Sequence, residues 1–144
     1  MVSMAIADYP YFKLSTVEID RPGPSYTVDT LAELHDNLGV ENELYFIIGL
    51  DSLAQFSKWR EPARIIRMCR VIAVPRPGYS VPDKKALEAA IPGMLERLTI
   101  LDEPKLDISA TEIRQRAKRG EPITDLVPGP VAEYIKKEKL YSRG

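Results

Sequence analysis

The stretch ELYFIIGLDS, residues 43–52, decides the fold class, because a short apolar run ends at Gly49 and a helical stretch opens at Asp51. A continuous apolar run of this length predicts a strand that is buried on both faces. The same form recurs in RVIAVPRPG (70–78) and in RLTIL (97–101). Helical patterns separate these strands, so the sequence predicts an α/β fold with a parallel sheet covered by helices on both sides.

The rest of the chain predicts one further strand and several helices around this sheet. FKLSTVEI, residues 12–19, alternates as a strand does, and RPGPSYT then turns the chain sharply. At 144 residues the length predicts a single domain, 1–144. The spacing predicts helices at residues 1–9, from Ser25 or Thr27 to Gly39, at 84–97, from Ser109 to Gly120, and from Pro130.

Composition excludes several classes of protein. The chain has 20 basic and 21 acidic residues and a net charge of -1, which disfavours a nucleic-acid partner or an anionic membrane surface. Cys69 is the only cysteine, which excludes an internal disulfide and a cysteine-based metal site. No apolar run approaches the roughly 20 residues that span a bilayer. These features indicate a cytoplasmic protein, in which Cys69 packs in the core and His35 has a structural role in an amphipathic helix.

The stretch DISATEIRQR, residues 107–116, allows two interpretations. Ser109 and Glu112 fit a capping box, in which each side chain bonds to the backbone amide of the other residue. Thr111 and Arg114 fall on one polar stripe that begins at the start of the same helix. Free amides, hydroxyls and an arginine one turn later favour anions, so this helix start is also a candidate site for a polyphosphate.

Ligands of open parallel sheets bind beyond the carboxyl ends of strands, where loops and helix starts meet. Besides DISATEIR, the segments GPSYT, GLDS and PRPG are predicted to lie at such ends. Asp51 is a candidate partner for ribose hydroxyls, and helix capping is the alternative. Trp59, the only tryptophan, is either a platform for an aromatic ring or a half-buried surface anchor. Tyr26 and Thr27, at another helix start, offer hydroxyls and amides that would hold a carboxylate.

The segments SYTVDTL, YFIIGLDSL, SKW, IAVPRPG, ISATEIR and LVPGPVAEYI resemble, in order and spacing, those of bacterial nicotinate-nucleotide adenylyltransferases. The match runs through nearly the entire chain. ISATEIR is also similar to a motif of pantetheine-phosphate adenylyltransferase, whereas SYTVDTL together with SKW points to the pyridine-nucleotide enzyme. The resemblance implies a Rossmann-like, doubly wound parallel sheet of the nucleotidyltransferase superfamily, with 1–144 as one nucleotidyltransferase domain.

The resemblance also implies an activity in NAD biosynthesis. AMP would pass from ATP to nicotinate mononucleotide, giving deamido-NAD and pyrophosphate with Mg²⁺ present. By position, all five residues of the ATP site would come from two segments: Ser109, Thr111 and Arg114 would bind the ATP phosphates, and Gly49 and Asp51 would contact the ribose and backbone of this nucleotide.

The resemblance assigns four residues to the nicotinate nucleotide. Trp59 would stack on the pyridine ring, Tyr26 and Thr27 would help to receive its carboxylate, and Arg76 would line the same cleft. No residue of the chain is implied as a metal ligand.

The family also has a strand and a loop of the form GGTFDPxHxGH, whose histidines hold the triphosphate. The 144 residues contain no such segment, and His35 does not replace it. We therefore expect no catalytic residue and very low activity from these residues alone. The alternatives are a non-catalytic pyridine-nucleotide-binding fragment and an adenylyltransferase for another phosphate ester. Sheet edges exposed by the truncation would be covered by a second copy in a homo-oligomer, or residues 1–20 would be displaced.

Overall fold

Short strands and helices alternate through the computed structural model, which describes residues 1–39, 41–104 and 107–142. The strands are β1 (Leu44–Gly49), β2 (Cys69–Val74) and β3 (Leu98–Ile100). A 3₁₀ turn spans Phe56–Lys58. The helices are α1 (Val2–Ala5), α2 (Val17–Asp20), α3 (Thr27–Leu38), α4 (Leu50–Leu53), α5 (Pro62–Met68), α6 (Lys84–Ala90), α7 (Met94–Arg97), α8 (Ala110–Arg119) and α9 (Gly129–Lys137).

The chain divides into two compact units. One unit combines Met1–Thr16 with Ile108–Gly144, and the other is the continuous segment Val17–Asp107. In the first unit, Ala5 packs against a small core built around Val131 of α9. The single domain predicted for the whole length stays a prediction. Within the described residues, no helix is both long and apolar enough to cross a membrane.

The second unit is built on a parallel sheet with the strand order β1-β2-β3. Phe46, Val71 and Leu98 lie side by side across the three strands and belong to the core of this unit or pack against it. The α5 helix packs on β2, and α3 packs on α5. The α/β class and the three strands predicted from their apolar runs are confirmed.

The prediction that β1 is buried on both faces is wrong. Tyr45 and Ile47 are 55% and 64% exposed, whereas Ile48 is buried. Ile47 lies beside Ile72, and Ile72 lies beside the exposed Thr99. This face of the sheet is therefore open, and the expected covering by helices on both sides is absent among the described residues. Its covering by a second copy stays a prediction.

The strand predicted at residues 12–19 is also absent. Residues 17–20 form the short helix α2, and the alternating apolar side chains of Phe12, Leu14 and Ile19 are all exposed. Alternation favours a strand only where a neighbouring strand accepts its hydrogen bonds, and no described strand pairs with this segment. Of the helix predicted at residues 1–9, only α1 forms.

The helix predicted for 84–97 is interrupted, because Pro92 and Gly93 separate α6 from α7. Gly93 has a φ of 87°, a conformation that glycine adopts at little cost. The Glu88 carboxylate accepts hydrogen bonds from the amides of Leu95 (2.9 Å) and Gly93 (2.7 Å). Both bonds hold the pKa of Glu88 below its ordinary value, and the bond from Leu95 has the larger effect. The same bonds satisfy amides at the start of α7.

The α3 helix starts and ends near its predicted limits, but without the predicted side-chain cap. Its N-cap is Tyr26, and the Ser25 hydroxyl donates instead to the carbonyl of Glu18, at 3.0 Å. Gly39 ends the helix, as predicted, with a φ of 91°. His35 Nε2 lies 2.6 Å from the carbonyl oxygen of Met68, which supports the structural role predicted for this histidine.

The capping box predicted for α8 forms only in part. The Ser109 hydroxyl accepts a hydrogen bond from the Glu112 amide at 3.1 Å. The Glu112 carboxylate does not reach back, because it pairs with Arg116 at 2.8 Å, one helical turn further on. Ser109 is thus a helix cap in this structure.

Replacing Ser109 by Ala is expected to lower the free energy of unfolding by about 1 kcal/mol, because the Glu112 amide loses its acceptor. Urea denaturation followed by circular dichroism measures the change. Ser109→Asn is the matched control, since asparagine is an equally good N-cap. Equal destabilisation by both variants would contradict a capping role.

Candidate functional site

A cavity of about 260 Å³ in the second unit brings together three of the residues predicted to bind the nicotinate nucleotide. Tyr26 and Thr27 reach it from the start of α3, and Trp59 follows the 3₁₀ turn. The complete lining consists of Ser25, Tyr26, Thr27, Lys58, Trp59, Arg60 and Ile65. Hydroxyl groups, an indole ring and two basic side chains therefore surround one small cavity.

Trp59 is half-buried and fixed by two aromatic contacts. Its ring centroid lies 4.9 Å from that of Phe56, with the planes tilted by 35°. It lies 6.0 Å from that of Phe46, in an edge-to-face arrangement. Both interpretations of Trp59 from the sequence thus have support, since the indole is anchored to the core and also lines the cavity.

The Tyr26 ring is covered on one face by a guanidinium group. Cζ of Arg60 lies 4.6 Å from the centroid of the Tyr26 ring, which is a cation–π contact. Because that face is occupied, Tyr26 presents its remaining surface and its hydroxyl to other groups. Arg60 and Tyr26, which both line the cavity, therefore shape it through their mutual contact.

Asp51 and Arg76 form an ion pair at the carboxyl ends of two neighbouring strands. Arg76 Nη1 donates to Asp51 Oδ2 at 2.5 Å. Asp51 lies in α4 directly after β1, and Arg76 follows β2, whose last residue Val74 lies beside Gly49. The N-cap of α4 is Gly49, so Asp51 does not cap this helix. The alternative of helix capping for Asp51 is therefore wrong.

Gly49 leaves room for the Asp51 carboxylate in its observed position. A Cβ atom at residue 49 would meet Oδ1 of Asp51, although the backbone of Gly49 has an ordinary negative φ. A larger residue would therefore require the Asp51 carboxylate, the end of a flexible side chain, to shift. Gly49 thus allows the close approach of this carboxylate to the backbone.

The residues predicted to bind ATP phosphates lie in the first unit. Thr111 and Arg114 are exposed on α8, and Arg114 Nη2 donates to the Thr111 hydroxyl at 3.5 Å. The Ser109 hydroxyl accepts the capping bond and keeps its own proton to donate, so its predicted role at the phosphates stays a prediction. Arg114 has no ion pair with a described acidic residue, whereas Arg116 and Arg119 do. Its guanidinium is thus the one of these three that remains available for an anion.

Cys69 is unsuited to nucleophilic chemistry. It is 3% exposed, and its thiol donates to the carbonyl of Ile65 at 3.4 Å. Burial raises the pKa of this thiol to about 11, so almost no thiolate is present near neutral pH. Among residues 1–39, 41–104 and 107–142, no group of three His, Cys, Asp or Glu side chains is placed to hold a metal ion.

Comparison with known proteins gives the family. Residues 1–116 match the model of the cytidylyltransferase-like family. The chain is 44% identical to the probable nicotinate-nucleotide adenylyltransferase of Dehalococcoides mccartyi, over 99% of this chain and 70% of that protein. The chain belongs to the nicotinate-nucleotide adenylyltransferase family. The probable nicotinate-nucleotide adenylyltransferase of Roseiflexus sp. is 48% identical to it, over 98% of this chain and 69% of that protein.

Solved structures show that the nucleotidyltransferase fold is shared. The Plasmodium falciparum nicotinic acid mononucleotide adenylyltransferase complexed with APC aligns with a TM-score of 0.74 and 20% identity, over 100% of this chain and 74% of that one. A structure of an enzyme of the same name and organism, complexed with NaAD, aligns with a TM-score of 0.63 and 21% identity, over 83% and 58%. The predicted fold class is thereby confirmed.

Sequence reasoning missed Lys58, Arg60 and Ile65 as neighbours of the predicted nicotinate-nucleotide residues. A signal was present for two of them, because KWR places a basic residue on each side of the only tryptophan. Nothing in the sequence indicated that Ile65 lines the cavity, because an apolar residue at this position of α5 is typical of the core, and Ile65 is indeed fully buried. Arg76 was predicted to line the same cleft, but the cavity lining does not include it.

Proposed function

We propose that this chain provides the nucleotide-binding part of an enzyme that transfers AMP from ATP to nicotinate mononucleotide, giving deamido-NAD and pyrophosphate. The observation that carries the proposal is the cavity, in which Tyr26, Thr27 and Trp59 of a family member lie around one space. A pyridine ring that carries one carboxylate matches the indole, hydroxyl and basic groups that line this cavity. The ring would stack on the indole, and hydroxyl and amide groups would donate to the carboxylate.

The Asp51 and Arg76 pair suits the sugar and phosphate of a nucleotide. A carboxylate accepts through two oxygens, so Asp51 can keep Arg76 at Oδ2 while Oδ1 accepts from a ribose hydroxyl. The pair lies beyond the carboxyl ends of β1 and β2, which is where open α/β sheets bind nucleotides. We assign Gly49 and Asp51 to the nucleotide on this basis.

The start of α8 is our candidate for the phosphate groups of ATP. The helix dipole and the free amides of its first turn favour negative charge. Arg114 adds a guanidinium that no described acidic residue neutralises, and Thr111 adds a hydroxyl. Together these groups would hold and orient a triphosphate, and orientation with charge stabilisation is the main contribution of a protein to phosphoryl and nucleotidyl transfer.

Nucleotidyl transfer from ATP generally uses a divalent metal ion, and we propose Mg²⁺ for this family member. The described residues do not fit a protein-held ion, since they offer no cluster of carboxylates and Asp51 is paired with Arg76. Mg²⁺ commonly binds through the phosphates of its nucleotide, and we expect it to arrive here with ATP.

Binding of the two substrates tests the proposed function. Isothermal titration calorimetry should detect nicotinate mononucleotide and Mg²⁺-ATP binding to the 144-residue chain. Arg114→Ala is expected to weaken ATP binding by about 10- to 100-fold, because a charge-assisted bidentate contact is lost. Lys137→Ala, which removes one positive charge from α9, is the matched control and should leave ATP affinity unchanged.

Two outcomes would contradict these assignments. Absence of binding of both substrates to the unaltered chain would overturn the proposed function. Equal ATP affinities of the unaltered chain and Arg114→Ala would overturn only the phosphate role of Arg114. We also expect the 144 residues alone to release pyrophosphate near the background rate, because the GGTFDPxHxGH segment is not among them.

A further inference from the structure

The cavity around Trp59 carries an excess of positive charge. Its lining includes two basic side chains, Lys58 and Arg60, and no acidic one. The other lining residues are neutral. A ligand group that enters the cavity therefore meets two cations without a matching anion inside.

Neither cation is neutralised strongly by its surroundings. No described acidic residue forms an ion pair with Lys58. Arg60 Nε lies 3.9 Å from Glu61 Oε1, a long contact between exposed groups, and Glu61 also lies 3.5 Å from Arg64 Nη1. Arg60 is held instead over the ring of Tyr26, at 4.6 Å. A cation–π contact leaves the charge of the guanidinium in place, so Arg60 stays available to an anion.

The hydroxyls of the cavity cannot by themselves distinguish an acid from its amide. Ser25, Tyr26 and Thr27 can donate to a carboxylate oxygen, but they can equally donate to the oxygen of a carboxamide. The two groups have nearly the same shape, so sterics do not separate them either. Their main difference is the full negative charge of the carboxylate, to which a positively charged lining responds most directly.

We propose that Lys58 and Arg60 are specificity-determining residues, which make the cavity prefer a pyridine carboxylate over the corresponding carboxamide. The assignment rests on the proposed function of this cavity. Lys58 provides a freely placed ammonium, and Arg60 a guanidinium that Tyr26 holds in position. Because both side chains are exposed, solvent screens them, and each contributes a moderate share of the discrimination.

The test compares nicotinate mononucleotide with nicotinamide mononucleotide as probes of the 144-residue chain. Trp59 is the only tryptophan and lines the cavity, so its fluorescence reports the binding of either probe. Lys58→Met and Arg60→Gln are each expected to lower the affinity for the nicotinate probe by about 3- to 10-fold. Both should leave the affinity for the nicotinamide probe unchanged. The double variant should bind the two probes nearly equally.

Three control variants separate charge from packing. Arg60→Lys keeps the charge and should retain the preference for nicotinate. Lys84→Met and Arg67→Gln remove exposed charges that do not line the cavity, and they should change neither affinity. Equal losses for both probes in Lys58→Met and Arg60→Gln would mean that these side chains act structurally or on a group that both probes share, such as the phosphate, and would overturn this proposal. An unchanged ratio of affinities in the double variant would also overturn it, without touching the proposed function. Binding of neither probe to the unaltered chain would overturn both.

Discussion

Replacing Trp59 by Ala is expected to lower the affinity for nicotinate mononucleotide by about 10- to 100-fold, because stacking of a base on an aromatic side chain contributes about 1–3 kcal/mol. The indole lines the cavity with one part of its surface and packs on Phe46 and Phe56 with another. Its removal takes away the platform on which the pyridine ring would lie. Isothermal titration calorimetry measures the effect without relying on tryptophan fluorescence.

The control for this substitution must separate lost stacking from lost packing. Phe46→Leu removes an aromatic neighbour of Trp59 but no residue of the cavity lining. It should leave the affinity within a few-fold of the original value, although it lowers the free energy of unfolding. If Trp59→Ala binds nicotinate mononucleotide as well as the unaltered chain, the cavity is not the pyridine site.

Phe56→Ala is expected to lower the free energy of unfolding by about 3–5 kcal/mol. Phe56 is 0% exposed and is one of the largest side chains at the centre of the core in the second unit. Its removal leaves a cavity that the surrounding residues fill only in part. Since most domains are stable by about 5–15 kcal/mol, the loss is a large fraction of the total. Chemical denaturation followed by circular dichroism gives the value.

Leu38→Ala is the matched control for the core substitution. Leu38 ends α3 in the same unit and is 54% exposed. Its truncation is expected to change the free energy of unfolding by no more than about 0.5 kcal/mol. Similar losses for Phe56→Ala and Leu38→Ala would mean that the apolar cluster around Phe56 does not hold this unit together.

The strands of the sheet were predictable where both a neighbouring strand and a packing helix lie within the described residues. The apolar runs of β1, β2 and β3 are recognisable in the sequence, and each forms a strand that pairs with a neighbour and packs on a helix. The segment 12–19 has the same kind of alternation but no partner strand among the described residues, so it did not form a strand. The exposed face at Tyr45 and Ile47 could not be foreseen either, because a sequence pattern states which residues are apolar and not what covers them.

The candidate site was predictable by residue type and position rather than by contact. Tyr26 and Thr27 lie in one segment of the chain and Trp59 in another. The resemblance to a family predicted that they act on the same ligand, and the structure places all three around one cavity. The pairing of Asp51 with Arg76 depends on the register of β1 and β2, which no local pattern encodes. The contact of Arg60 with Tyr26 depends on a side-chain conformation, which is set by neighbours distant in sequence.

The unit that contains α8 is assembled from two segments that are far apart in the sequence, Met1–Thr16 and a segment that begins at Ile108. During synthesis, α1 leaves the ribosome long before α9, against which it packs, has been translated. Val17–Asp107 is continuous and can gather its own contacts in the meantime. We therefore expect Val17–Asp107 to fold before the unit that contains α8, because bringing the two segments of that unit together requires closing the long loop that separates them, at a cost in chain entropy.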